Sequence, residues 1–259
     1  TEKKADAIGY ILPASIPRFA DPFYAEFLVG LGDETALHPY DLLVSIAPPG
    51  EQAEQQIYAN WVQSRKVDGF VLNRMRHNDW RARFLSEHGV PFVALENGLE
   101  GLDYPYIEVD NAGSMISLIS HLVQCGFRRL AFIGGPEELV IHARRLEGFC
   151  KGLEQAGLPF HPERVLAGDL TSDGGYQAVK RMRWGPDPPD AIVCVNDETA
   201  LGALHAVHEM GLKVGAEIAI SGFDGVKAAQ HTDPPLTTLD TPIYEIARQL
   251  VRLLAAEIQ

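Results

Sequence analysis

Five short polar groups, each set directly after an apolar run, hold the residues of this chain best suited to chemistry. Asp21-Pro22-Phe23-Tyr24 closes the loop that follows residues 8–12, and Asn73-Arg74-Met75-Arg76 follows 69–72. Residues 92–95 run into Glu96-Asn97, 191–195 into Asn196-Asp197, and 218–222 into Phe223-Asp224. Carboxylates, amides and arginines supply donors and acceptors, and the rings supply flat apolar faces. Such a set suits a small polar molecule held by paired hydrogen bonds and stacking. Each group also has a plainer use. Asn196 or Asp197 can cap a helix, Asp224 beside Gly225 can shape a turn, and Phe23 and Tyr24 can enter the core. Arg74 and Arg76 can be solvated surface charges.

Signatures of catalysis are missing. The sequence has no Walker A pattern, no G-x-S-x-G nucleophile elbow and no H-E-x-x-H zinc helix, and no carboxylate spacing singles out an acid/base couple. Gly134-Gly135 could bring backbone close to a ligand, but without G-x-G-x-x-G a dinucleotide site is poorly supported. His205 and His208 share a helix face with nothing to complete a metal site. Cys125, Cys150 and Cys194 are odd in number and widely spaced, which points to reduced thiols rather than a disulfide framework or zinc site. We therefore expect no cofactor, no metal and no enzyme activity.

The elements that must position these groups follow a βαβ rhythm. Strand-like runs at 8–12, 41–45, 69–72, 92–95, 130–133, 164–167, 191–195, 218–222 and 237–239 alternate with amphipathic stretches. Continuous apolar runs describe strands buried on both faces, hence parallel sheets covered by helices. Helices are expected at 23–37, 52–64, 112–124, 144–156, 174–182 and 198–210. A last helix follows Thr241-Pro242, its stripe made of Ile243, Ile246, Ala247, Leu250, Leu253 and Leu254. In doubly wound sheets ligands bind beyond the carboxyl ends of the strands, which is where the polar groups fall. So many strands predict two lobes split near 104–110, with the last helix returned to the first lobe; a single eight-fold βα barrel is the alternative. With 46% hydrophobic residues the chain can build such cores, and no apolar run reaches the roughly 18–20 residues of a membrane span. A net charge of −13 repels phosphate backbones, so this chain alone should bind DNA poorly.

Five blocks occur in a recognisable order: Asp21-Pro22-Phe23-Tyr24; Val67-Asp68-Gly69-Phe70-Val71; Val109-Asp110-Asn111 with His121-Leu122 and 126–135; Arg145-Leu146-Glu147-Gly148-Phe149; and Asn196-Asp197 through Gly222-Phe223-Asp224 to 234–238. From about Ala7 to Leu254 the chain thereby resembles the effector-binding core of the lactose/galactose/purine repressor family (LacI/GalR-type) of transcription regulators. The resemblance implies a type I periplasmic binding protein-like fold: α/β, with two doubly wound parallel-sheet lobes joined by three crossovers and a small effector, a sugar, in the cleft between them. It implies an N-terminal lobe of 6–107 plus 241–259 and a C-terminal lobe of 108–240. By position it carries effector contacts onto Arg145, Asn196 and Asp224, with Phe23 and Glu96 as cleft residues and Arg74 beside Glu96. It further implies a homodimer in the cytoplasm that reaches operator DNA only through a headpiece before Thr1, with a short final strand beyond Gln259, so the chain reads as a core without its headpiece. An exported sugar-binding protein of the same fold is the alternative, with an enzyme third. Two departures stand out: Leu170 replaces the stacking ring common after a Gly-Asp pair, and Gly225 replaces a second Asp. The loop 14–20 together with Arg74-Met75-Arg76 resembles a branch that answers plant-type or storage sugars such as α-glucosides.

Overall fold

Buried apolar runs become parallel strands, and the amphipathic stretches between them become the helices that cover them. The computed structural model describes residues 4–12, 21–48, 50–99 and 101–258, so the loop 14–20 lies outside the described residues. The chain divides into two units, Thr1–Val109 with Pro242–Gln259, and Asp110–Thr241. It passes between them at Val109–Asp110 and Thr241–Pro242; a third crossover does not occur among the described residues.

The first unit is a parallel sheet of β1 (Ala7–Leu12), β2 (Asp41–Ile46), β3 (Gly69–Leu72), β4 (Phe92–Leu95) and β5 (Tyr106–Ile107), in the order β2-β1-β3-β4-β5. Its helices are α1 (Pro22–Thr35), α2 (Glu51–Gln63), α3 (Trp80–Glu87) and the C-terminal α8 (Ile243–Ile258). Side chains alternate along β1, so Ile8, Tyr10 and Leu12 join Phe27 and Leu31 of α1 and Leu250 and Leu254 of α8 in one core. The opposite face packs Phe70 against Tyr58 and Trp61 of α2.

The second unit is a parallel sheet of β6 (Leu130–Ile133), β7 (Val165–Leu166), β8 (Ala191–Cys194) and β9 (Ala219–Ser221), in the order β7-β6-β8-β9. Helices α4 (Asn111–Gln124), α5 (Val140–Gln155), α6 (Ser172–Arg181) and α7 (Asp197–Glu209) complete it. Ala131, Ile133, Ile192 and Ile220 face α6 and α7, while Phe132 meets Phe149 of α5 on the other side. Two separate open sheets exclude the barrel.

Several expectations need correction. Residues 237–239 do not form a strand of the sheet; Thr237 makes an isolated bridge to Ser221. Helix α3 and strand β5 are additional. Strand β2 lies at a sheet edge and is only partly covered, not buried on both faces. In α8, Leu253 faces outward at 37% exposure and Val251 takes its place inside. The Thr241 hydroxyl makes no capping bond; the Pro242 carbonyl accepts the N–H of Ile246 at the head of α8.

Candidate functional site

Each unit gathers a polar cluster at the carboxyl ends of its strands. In the first, Asp21 caps α1 by accepting the Phe23 N–H at 3.0 Å, which fixes Phe23 and Tyr24 in the first turn. The half-buried Phe23 ring stacks on Phe27 at 5.6 Å and meets Tyr24 edge-on. Arg74, directly beyond β3, pairs with Asp21 at 3.5 Å and lies 5.1 Å from the Tyr24 ring centroid. Burial raises the Asp21 carboxyl above its ordinary range while Arg74 pulls it back. Tyr10 lies beneath, close to Tyr24, Arg74 and Asn73, and burial holds its hydroxyl firmly protonated. Glu96, directly beyond β4 and 2% exposed, accepts the Val109 N–H at 3.4 Å.

Arg74 and Arg76 are therefore not solvated charges: the Arg74 side chain is 13% exposed, and Arg76 pairs with buried Glu54 at 2.9 Å. Behind them lies fully buried Arg81. Its Nη2 donates to the carbonyls of Asn73 and Arg74, both at 3.1 Å, and its Nε and Nη2 grip Asp79 at 2.9 and 2.6 Å. Burial works against the Asp79 charge, but Arg81 prevails and holds that carboxyl below its ordinary range.

In the second unit Arg145 reaches inward from α5 and is 6% exposed. It donates through Nε to Asn111 Oδ1 at 2.8 Å, through Nη1 to the Val195 carbonyl, and through Nη2 to Asp224 Oδ1 at 3.3 Å. The face of Phe223 lies 3.6 Å from its guanidinium, a close cation–π contact. These bonds engage all three nitrogens of the guanidinium. Arg145 thus has a structural duty besides its place as a candidate contact. Asn196 is a cap as well as a candidate: Oδ1 accepts from Thr199 N at 3.1 Å and Thr199 Oγ1 at 2.5 Å, and Nδ2 donates to the Leu170 carbonyl. Asp197, at 0% exposure, accepts from Val226 N at 2.8 Å and Thr238 Oγ1 at 2.5 Å, tying down the loop that carries Asp224. Burial pushes its carboxyl up to about 6 against those hydrogen bonds.

The Gly134-Gly135 turn is not open to a ligand. A Cβ on Gly134 would strike the His142 ring at 2.5 Å and one on Gly135 would strike Leu170 at 2.6 Å, so the glycines admit protein side chains. Leu170 itself, 3% exposed, fills the place expected of a stacking ring. His205 and His208 are exposed, and no group of three metal-ligating side chains occurs among the described residues. Nor is any described helix long and apolar enough to cross a membrane.

Four non-glycine residues at strand carboxyl ends hold left-handed backbone: Arg74 (φ 48°), Glu96 (φ 76°), Leu170 (φ 69°) and Asp224 (φ 113°). Such conformations are costly for side-chain-bearing residues and gather where function requires them. Asn111, Arg81 and Asp79 also build the site without standing among the candidates of the sequence. Asn111 lies in one of the recognisable blocks; the other two give no local signal.

The chain is similar to known proteins. A periplasmic binding protein-like domain matches residues 119–259. CytR, an HTH-type transcriptional repressor of Escherichia coli (strain K12), is 31% identical over 245 residues, which is 94% of this chain and 71% of that protein. A regulatory protein of the LacI family from Chloroflexus aggregans is 30% identical, with a TM-score of 0.83 over 98% of this chain and 91% of the other. The transcriptional regulator CelR, solved with cellobiose, is 27% identical, with a TM-score of 0.90 over 99% and 79% of the two chains.

Proposed function

The chain belongs to the LacI family of transcription regulators, whose effector-binding core it forms, and from that premise we propose that its effector is a sugar held by the polar groups at the carboxyl ends of its strands. Arg145 and Asp224 supply the charged contacts from one lobe and Arg74 and Glu96 those from the other, with Phe23 offering an apolar edge and Asn196 its amide. The carrying observation is the left-handed backbone at Arg74, Glu96 and Asp224, three candidate contacts beyond strand ends, a strain of about 1–3 kcal/mol each. Paired carboxylates and guanidinia match the vicinal hydroxyls of a sugar ring, a carboxylate accepting two and an arginine donating two. The cellobiose bound to CelR is consistent with that choice. The working protein is a cytoplasmic homodimer that meets operator DNA through a separate headpiece.

A melting-temperature screen tests the reading, because a ligand that binds only the folded state stabilises it by mass action. The panel is cellobiose, maltose, trehalose and sucrose, with sugar phosphates and nucleosides as contrasts. A saturable rise with one sugar, lost in Asp224→Asn, is the expected result. A rise with nucleosides alone would replace the sugar by a base, and no rise with any member would remove the reading. Sedimentation at tens of micromolar tests the dimer.

A further inference from the structure

We infer that Arg81 is a positioning residue: it touches no ligand, and it fixes Arg74 in the orientation that binding requires. The inference rests on Arg74 being an effector contact. Arg81 belongs to α3 on a face turned to the core and is 1% exposed. A leucine or methionine would fill that place without burying a charge, and replacing buried ion pairs by apolar groups is often neutral or stabilising. What the guanidinium adds is geometry. One nitrogen, Nη2, holds the carbonyls of Asn73 and Arg74 together, both at 3.1 Å. Those carbonyls bracket the peptide that leads into the left-handed backbone of Arg74 (φ 48°).

Two further pins act on the same loop. Asp79, gripped by Arg81, accepts the Arg76 N–H at 2.9 Å, and Glu54 of α2 pairs with Arg76 Nη2 at 2.9 Å. Glu54 Oε1 also lies 3.9 Å from Arg81 Nη1. The loop 73–79 is thereby held from α2 and α3 together. Arg74, whose side chain meets Asp21 and the Tyr24 ring among the described residues, is aimed by its backbone.

The experiment compares Arg81→Lys and Arg81→Met with the parent. Lysine keeps the charge beside Asp79 and Glu54 but lacks the planar fork that grips both oxygens of Asp79 while reaching the two carbonyls, so it guards against simple loss of folding. Without ligand, amide exchange at Arg76 and Asn78 should accelerate by about tenfold or more in either folded variant, while β1 and β3 stay protected. Unchanged exchange would overturn the clamp. Affinity is then measured with whichever disaccharide of the panel raises the melting temperature. Arg81→Lys should lose about tenfold in affinity in the parent and less than about twofold in an Arg74→Ala background, the coupling expected of a residue acting through another. Equal losses in both backgrounds would overturn the positioning role. If no sugar binds the parent, the effector reading fails, and the clamp is decided by exchange alone.

Discussion

Arg74 in the first unit and Arg145 in the second are fixed in opposite ways. Arg145 is held by its own guanidinium, which bonds Asn111, the Val195 carbonyl and Asp224 and lies over Phe223. Among the described residues Arg74 has one ion pair, at 3.5 Å, and its backbone is held by another arginine, Arg81. The supporting groups differ in chemistry as well. Behind Arg74 stands a guanidinium that donates to carbonyls and does not titrate. Behind Asp224 stands a carboxylate, Asp197, that accepts from N–H and hydroxyl groups and whose burial pushes its titration up to about 6. One cluster separates the contact from its support; the other combines them.

The largest expected effect breaks this comparison at its sharpest point. Arg145→Ala should destabilise the second unit by about 3–5 kcal/mol, because it leaves buried Asp224, Asn111 and a carbonyl without their donor. Arg74→Ala should cost less, about 1 kcal/mol, since it removes a single long ion pair of 3.5 Å and leaves the Arg81 clamp intact. Both should weaken sugar binding by roughly 1.5–3 kcal/mol or more where folding persists. Chemical denaturation of the two variants side by side checks the contrast; equal stability losses would show that the two arginines are held alike.

A second test uses protons. Asp197 holds its proton up to about 6 in the folded protein, against 3.8 for an ordinary aspartate. Between those values the native state keeps a proton that the unfolded chain has released. Its contribution is therefore greatest at low pH, declines as pH rises from about 4 to about 6, and is level above that, a span of about 2–3 kcal/mol. Asp197→Asn, which cannot ionise, should be free of this slope, so the stability difference between parent and variant should shift toward the variant between pH 4 and pH 7. A difference independent of pH would place the ordinary aspartate value in the folded state and weaken the contrast with Arg81.

How much of this was legible in the sequence follows from which forces are local. Strands β3, β4 and β6 coincide with their apolar runs, because burial on both faces leaves no polar residue to blur the ends. Helix α3 was hidden by the residue that matters most in it: Arg81 places a charge on the core face and spoils the apolar period. Its partners Asp79, Glu54 and the carbonyls of 73 and 74 come together only in the fold. Strand β5, two residues long, is too short for any pattern. Among the candidates, Asn196 and Asp224 were recognisable by their place after a strand, whereas the work done by neighbouring Asp197 was not. An aspartate at the head of a helix looks the same whether it caps or, as here, anchors a loop far along the chain.

The smallest effect concerns Glu34, which gives the first unit a pH response of opposite sign. Its buried carboxylate receives Arg252 Nε at 2.9 Å and Nη2 at 2.8 Å and Arg248 Nε at 2.8 Å, fastening α8 to α1. Arg252 above all, opposed by burial and aided by Arg248, holds the carboxyl at about 2 against an ordinary 4.5. Here the unfolded chain takes up the proton first. The contribution is complete above about 4.5 and is lost as pH falls toward 2. Glu34→Gln should cost about 1–2 kcal/mol at pH 7, less than the loss of Arg145, because Arg252 is 46% exposed and water can take over its donors. Urea midpoints for parent and variant should differ at pH 7 and converge near pH 2. Acid should thus loosen the first unit over the low end of the range while ionisation of Asp197 loosens the second over the high end. Amide exchange in α8 and in the loop 223–226, followed from pH 3 to pH 7, should move in opposite directions; parallel movement would show that one common set of carboxylates governs both units.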